Sequence, residues 1–183
     1  MTTPSDSSPS DWSWLQDTYW YVLPENLPAL QFDPDNNTLT WVIDQTVWHI
    51  TGYRDGYFWG LSATLTQQGQ EDPPQHRAGS SRVCFTMLGT ITPEGQVHLT
   101  FIPSKATSSK SATIGIGCAV EHRNQWSLEM QMSSGNDERT AHWAYMSQTQ
   151  PGEPSWESLP GVEISVPEML KGCERPQANG QGQ

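Results

Sequence analysis

Residues 46–65 have the sequence TVWHITGYRDGYFWGLSATL, and this stretch decides the expected fold. Two runs of β-branched and aromatic residues, 46–53 and 57–65, flank an Arg-Asp-Gly turn at residues 54–56. Runs of this composition favour strands, and Asp-Gly between two of them is a strong short-range signal for a hairpin. The stretch therefore predicts an antiparallel β-hairpin.

The same period-two pattern continues on both sides of this hairpin. Further strands are predicted at residues 18–23, 38–43, 83–91, 96–102, 112–121, 125–132, 140–146 and 162–166. No connection is long enough to hold a crossover helix, which excludes parallel βαβ folds. We therefore predict an all-β protein, an antiparallel up-and-down meander that closes into a barrel of about eight to ten strands. A two-sheet sandwich is the alternative.

The two ends of the 183-residue chain differ in composition from the middle. Residues 1–10 and 172–183 contain almost nothing that could be buried, so we predict two disordered tails around a single domain at residues 11–171. Short helical turns are predicted near both ends of that domain, at residues 11–16 and 167–171. Residues 24–34, rich in proline and leucine, are expected either to cover one mouth of the barrel or to form a linker held against it.

Charge and cysteine content exclude several classes of function. Twenty Asp and Glu against nine Lys and Arg give a net charge of −11, which argues against nucleic acids and anionic membranes as partners. Cys84, Cys118 and Cys173 have no close spacing, so neither a disulfide framework nor a zinc site is expected. Cys84 and Cys118 are predicted to be buried and Cys173 to be an exposed thiol. Without a visible secretory signal or an apolar run of about 20 residues, the expected location is the cytoplasm.

Alternation along the strands also assigns their faces. The apolar sets expected to point inward are Trp126, Leu128, Met130 and Met132; Val97, Leu99 and Phe101; and Tyr57, Trp59, Leu61, Ala63 and Leu65. His98 and Glu129 are expected outside. The pattern leaves the facing of His49 and His142 open.

With strands and facing assigned, residues 20–146 resemble the calycin-type barrels, the group that includes lipocalins, fatty-acid-binding proteins and avidin-like proteins. The resemblance rests on the meander, on glycines within strands at 52, 60, 89, 115 and 117, and on Trp20 just before the first well-defined strands. The lipocalin Gly-x-Trp motif is absent, because residues 17–20 are Asp-Thr-Tyr-Trp. The resemblance implies a ligand site inside the barrel near an open end and assigns no role to any residue.

The leading hypothesis is that the barrel binds a small, largely apolar or aromatic organic molecule. Tryptophan and methionine offer flat, polarizable surfaces for such a ligand. The expected wall consists of Trp48, Trp59, Trp126, Met130 and Trp143. His49 or His142 is expected to orient the ligand through a polar contact.

Two other classes of function stay open. The first is a cofactor-free cyclase, isomerase or lyase that uses the same cavity. Its candidate acid–base residues are His49, His142, Tyr53, Tyr145 and Glu129. The second is a binding or assembly module with a filled core. No metal and no cofactor is predicted, since the histidines lie on separate segments without ligand spacing. A homo-oligomer is compatible with the sequence.

Overall fold

The computed structural model describes residues 11–68, 82–104, 112–134 and 139–173, and these form one antiparallel sheet of nine strands. The strands are β1 Thr18–Val22, β2 Pro28–Asp33, β3 Thr38–Arg54, β4 Tyr57–Gln68, β5 Arg82–Ile91, β6 Gln96–Pro103, β7 Thr113–His122, β8 Gln125–Ser134 and β9 Arg139–Thr149. Two α-helices of about one turn follow, α1 Pro154–Glu157 and α2 Val166–Leu170, and 3-10 turns occupy Ser13–Leu15 and Pro24–Asn26. No helix in these ranges is long and apolar enough to cross a membrane.

The sheet closes into a barrel because β1 and β2, one after the other, fill the same place in the strand order, between β3 and β9. Strand β1 pairs with residues 47–50 of β3, and β2 pairs with residues 38–43 of the same strand. Both also pair with β9. From β3 to β9 every strand pairs with the next one along the chain. The result is a closed barrel with eight positions around it, which confirms the predicted all-β barrel and excludes the sandwich.

The barrel interior is filled by large apolar side chains over much of its length. Those that are almost completely buried are Trp20, Trp48, Phe58, Met87, Leu99, Leu128, Met130 and Met146. The inward faces predicted for β6 and β8 are therefore confirmed. Tryptophans close one end, where Trp12 meets Trp126 edge to face at 5.1 Å between ring centroids. Trp12 also donates from Nε1 to the carbonyl oxygen of Thr92 at 3.0 Å, which ties the cluster to the β5–β6 turn.

The predicted facing of β4 is wrong. Phe58 belongs to the interior cluster, whereas Tyr57 is 63% exposed. Ala63 and Leu65 are buried, but in a second cluster on the outer side of the barrel. Both faces of β4 are covered by other parts of the protein. The alternate apolar residues that were predicted to point inward therefore lie on its outer face.

The outer cover is the C-terminal strap, residues 154–173. Its buried side chains are Leu159, Val162, Val166 and Met169, which pack against Val47, Ala63 and Leu65. The strand predicted at residues 162–166 is wrong, because this part consists of turns that lead into α2. The helical turns predicted near both ends are confirmed, and Ser165 accepts a hydrogen bond from the backbone N–H of Glu168 at the start of α2.

The predictions for the cysteines are also wrong: Cys118 is free but only partly buried, and the other two are bonded to each other. Cys84 on β5 and Cys173 in the strap form a disulfide. They are 89 residues apart in the chain, and only the strap's path over the barrel brings their Cα atoms to 5.5 Å. Arg82 reinforces the join by donating to the carbonyl oxygens of Glu168 and Lys171, both at 2.6 Å. Gly172 and Cys173 thus belong to the strap, while residues 1–10 and 174–183 lie outside the described ranges.

The segment at residues 24–34 is neither a mouth cover nor a linker. After a 3-10 turn it becomes β2, which completes the barrel between β3 and β9. Its side chains alternate, with Ala29 buried in the barrel and Leu30 opposite Trp41 on the outer face. Pro28 is tolerated at the first residue of the strand, where no ladder hydrogen bond from its nitrogen is needed.

Candidate functional site

Polar side chains gather inside the barrel, away from the tryptophan cluster that closes the other end. They are Asp44 and Thr46 on β3, Thr64 on β4 and His142 on β9, and together they are called the interior polar cluster. Asp44 and Thr46 alternate with outward-facing residues and share the inward face of β3 with Trp48. Thr64 is the direct partner of Thr46 across the ladder.

Hydroxyl groups surround the Asp44 carboxylate. Thr46 donates from Oγ1 to Asp44 Oδ1 at 2.9 Å, and Thr64 Oγ1 lies 3.5 Å from the same oxygen. The two hydroxyl groups also hydrogen-bond to each other. Asp44 is only 8% exposed, so these bonds replace much of the water that its carboxylate loses on folding.

His142 bonds through both ring nitrogens. Nδ1 is 3.5 Å from Asp44 Oδ2, and Nε2 is 2.7 Å from the backbone oxygen of Asn26. Burial lowers the pKa of His142, but the hydrogen bond to Asp44, its negative charge and the Asn26 carbonyl together raise that pKa above its ordinary value of 6.5. Because both partners are acceptors, the imidazole can donate from both nitrogens when it is protonated. The cluster then contains a buried ion pair.

Trp48 occupies the next inward position along β3 from Thr46. Its side chain is completely buried, and its ring centroid lies 5.6 Å from that of Phe101. The indole Nε1 of Trp48 has no hydrogen-bond partner in the described part of the chain. Indole N–H is a donor only, and a buried donor without an acceptor costs about 1–3 kcal/mol. Trp48 thus carries the one buried side-chain N–H without an acceptor among the described residues.

The site lies toward the end of the barrel at which β4 ends and β5 begins. Phe85 and Met132 share the inward faces of their strands with the fully buried Met87 and Met130, yet both are only partly buried. Phe85 is two ladder steps from Trp48, across Ser62, and Met132 pairs directly with His142. Apolar walls and polar groups therefore meet where inward-facing side chains retain exposed surface.

Among the residues predicted for the site, His142 belongs to the interior polar cluster, and Trp48 lies one inward position along β3 from Thr46 of that cluster. His49 lies on the outer face of β3, stacked on Tyr19 at 4.0 Å between ring centroids. Tyr19 in turn meets Trp156 of the strap edge to face. His49 is thus buried beneath the strap and does not line the interior. Tyr53 is near the closed end, where its hydroxyl oxygen accepts from Gly56 N–H at 3.1 Å.

The other predicted wall residues lie apart. Trp59 packs over Gly52 beside the β-bulge in β3, and Trp143 is 54% exposed on the outer face. Trp126 belongs to the closed end. Met130 is buried in the core between these regions.

Two predicted acid–base residues are on the outer side of the barrel. Tyr145 neighbours the exposed Trp143, with 6.1 Å between ring centroids. Glu129 lies 3.6 Å from the exposed His122, between Glu129 Oε1 and His122 Nε2. Neither residue reaches the interior polar cluster.

Sequence reasoning missed Asp44, Thr46 and Thr64 as site residues. The available signal was the spacing Asp44-x-Thr46-x-Trp48, which places two polar residues on the same face of a strand as a tryptophan. Within the described ranges, no three His, Cys, Asp or Glu side chains are arranged to hold a metal ion.

Comparison with known proteins identifies no relative of this chain. No protein-family model matches the chain, and searches of curated proteins and of solved structures find no match either. The closed antiparallel barrel is compatible with a calycin-like fold.

Proposed function

We propose that this protein is a calycin-like barrel that binds a small, largely apolar or aromatic organic molecule inside the barrel, between Trp48 and the interior polar cluster. The observation that carries the proposal is the buried Trp48 Nε1 without an acceptor. Ligand sites are typically apolar with a few fixed polar groups, and Phe85, Phe101 and Met132 would supply the apolar part here. Asp44 and His142 would supply polarity near the same end.

The hydrogen-bond partners of His142 favour binding over cofactor-free catalysis. A general acid or base needs a ring nitrogen within reach of the substrate. Both ring nitrogens of His142 already face acceptors of the protein itself, Asp44 and the Asn26 carbonyl. We therefore assign this histidine the role of holding the site together.

The disulfide provides an argument about the compartment in which the protein functions. Disulfides persist in oxidising environments and are rare in the cytosol. The Cys84–Cys173 bond therefore favours an oxidising environment over the cytoplasm expected from the sequence. With its net charge of −11, the protein is not expected to bind nucleic acids or anionic membranes in either setting.

Titration with Prodan, an uncharged naphthalene ketone whose emission shifts to the blue in apolar surroundings, tests the proposal. We expect saturable binding with a blue shift, and about five- to tenfold weaker binding to the Trp48→Phe variant, because that variant lacks the N–H. Trp143→Phe is the matched control, since Trp143 lies on the outer face. No blue shift, or a loss of binding with Trp143→Phe in place of Trp48→Phe, would exclude an interior site.

A further inference from the structure

We infer that the ligand is uncharged and presents a hydrogen-bond acceptor, such as a ketone or ester oxygen, to Nε1 of Trp48. This inference rests on the proposed function, because it specifies the chemistry of a molecule bound at the same site. It is carried by the hydrogen-bond and charge balance of the groups that line the interior.

The hydrogen-bond donors of the interior polar cluster are already used. The hydroxyl protons of Thr46 and Thr64 are shared between Asp44 and each other, and both N–H groups of His142 face acceptors. Three buried side-chain atoms of the described residues lack a partner, Trp48 Nε1, Asn26 Oδ1 and Ser104 Oγ. Trp48 supplies the only nitrogen among them, and indole nitrogen can only donate. The group that meets it must therefore be an acceptor.

Protonation of His142 balances the charge of the site. Asp44 and the protonated His142 then carry one charge of each sign, and Asp44 receives bonds from three side chains. In the parts of the chain that the structure describes, all five lysines and arginines are exposed: Arg54, Arg82, Arg123, Arg139 and Lys171. An anionic head group inside the barrel would thus lose its water without gaining any of these five cations, and a cationic one would compete for a carboxylate that is already paired. An uncharged ligand avoids both costs.

Three naphthalenes of similar shape test separately whether the ligand needs a hydrogen-bond acceptor and whether it must be uncharged. 2-Acetylnaphthalene carries a neutral acceptor, 2-ethylnaphthalene has no acceptor, and 2-naphthoate has acceptors with a negative charge. We expect calorimetric titration of the full chain to show the ketone binding about five- to tenfold more tightly than the ethyl compound, with naphthoate weaker than the ketone. In Trp48→Phe the preference for the ketone over the ethyl compound should disappear, while in Trp143→Phe it should persist.

Failure of the inference and failure of the proposed function give different results. Equal affinity for the ketone and the ethyl compound, retention of the preference in Trp48→Phe, or tightest binding of naphthoate would overturn the ligand class while leaving an interior site in place. Absence of binding by all three compounds and by Prodan would overturn the proposed function itself. Thermal unfolding of Trp48→Phe guards against misfolding, and Trp48→Tyr, whose hydroxyl keeps a donor, supplies a second variant expected to retain part of the preference.

Discussion

At the scale of single residues, Asp44 and His142 show how a charged pair is kept inside an apolar barrel. Each charge would be costly alone, and removing one partner of such a pair typically costs about 3–5 kcal/mol. Here the carboxylate also receives threonine hydroxyl groups, and the imidazole also donates to Asn26. These hydrogen bonds replace part of the hydration that both groups lose on folding.

The raised pKa of His142 makes the stability of the protein depend on pH. Because the folded state binds the proton more tightly than the unfolded state does, this contribution is fully present below about pH 6.5 and is lost as pH rises through the folded-state pKa. Between these two values, the free energy of unfolding should fall by up to about 1.4 kcal/mol per pH unit relative to His142→Gln. Urea unfolding from pH 5 to 9 measures the difference.

Two aspartate variants serve as matched controls for this pH dependence. Asp44→Asn removes the charge that raises the pKa of His142. The free energy of unfolding of this variant should therefore no longer show the fall with rising pH that is due to His142. Asp55→Asn changes an exposed aspartate on the β3–β4 turn and should retain it. Parallel profiles for the wild type and His142→Gln would show that His142 does not bind its proton more tightly on folding.

At the scale of elements, the C-terminal strap explains how a strand can be apolar on both faces. The strap covers the outer faces of β3 and β4, burying Leu159 and Met169 against Val47 and Leu65. It is held at its end by the disulfide and by Arg82, and in its middle by the Gly161 N–H, which donates to Gln45 Oε1 at 2.8 Å. Both its path and its attachment are tertiary features.

Breaking the disulfide should destabilise the protein. We expect Cys84→Ser to lower the free energy of unfolding by about 2–4 kcal/mol, since a link across 89 residues constrains the unfolded chain strongly. Equilibrium urea unfolding with and without dithiothreitol measures it, and the reductant should affect the wild type but not Cys84→Ser. Cys118→Ser changes the free cysteine and should retain both the wild-type stability and its response to reductant. If the urea midpoint of the wild type were the same with and without dithiothreitol, the disulfide would not stabilise the protein.

At the scale of the whole molecule, glycines on inward faces let a barrel with eight strand positions hold large side chains. A Cβ at Gly117 would collide with the backbone oxygen of Glu129 and lie 2.7 Å from Met130 Sδ. A Cβ at Gly115, on the same strand, would meet mainly Met132 Sδ at 2.5 Å. The first obstacle is backbone and a fully buried side chain, while the second is a flexible side chain near the barrel end.

This difference predicts unequal effects of two equivalent substitutions. Gly117→Ala should lower the free energy of unfolding by about 1–3 kcal/mol, because β7 and β8 must separate or bend to admit the methyl group. Gly115→Ala should cost less than about 1 kcal/mol, because Met132 can change rotamer. Chemical unfolding of both variants decides the comparison, and a larger loss for Gly115→Ala would contradict the assigned packing.

The sequence by itself determined every strand except β2, most of the hairpins and the all-β meander, and it favoured a barrel over a sandwich, because these depend on local alternation and on turn residues such as Asp55-Gly56. It also determined the inward faces of β6 and β8, where only one face is apolar. Tertiary structure alone decided that β2 completes the barrel, that the strap covers β4, and that Cys84 meets Cys173. It alone placed His49 outside and His142 inside, beside Asp44. The physical reason is that alternation separates the two faces of a strand, whereas partners distant in sequence decide what covers each face.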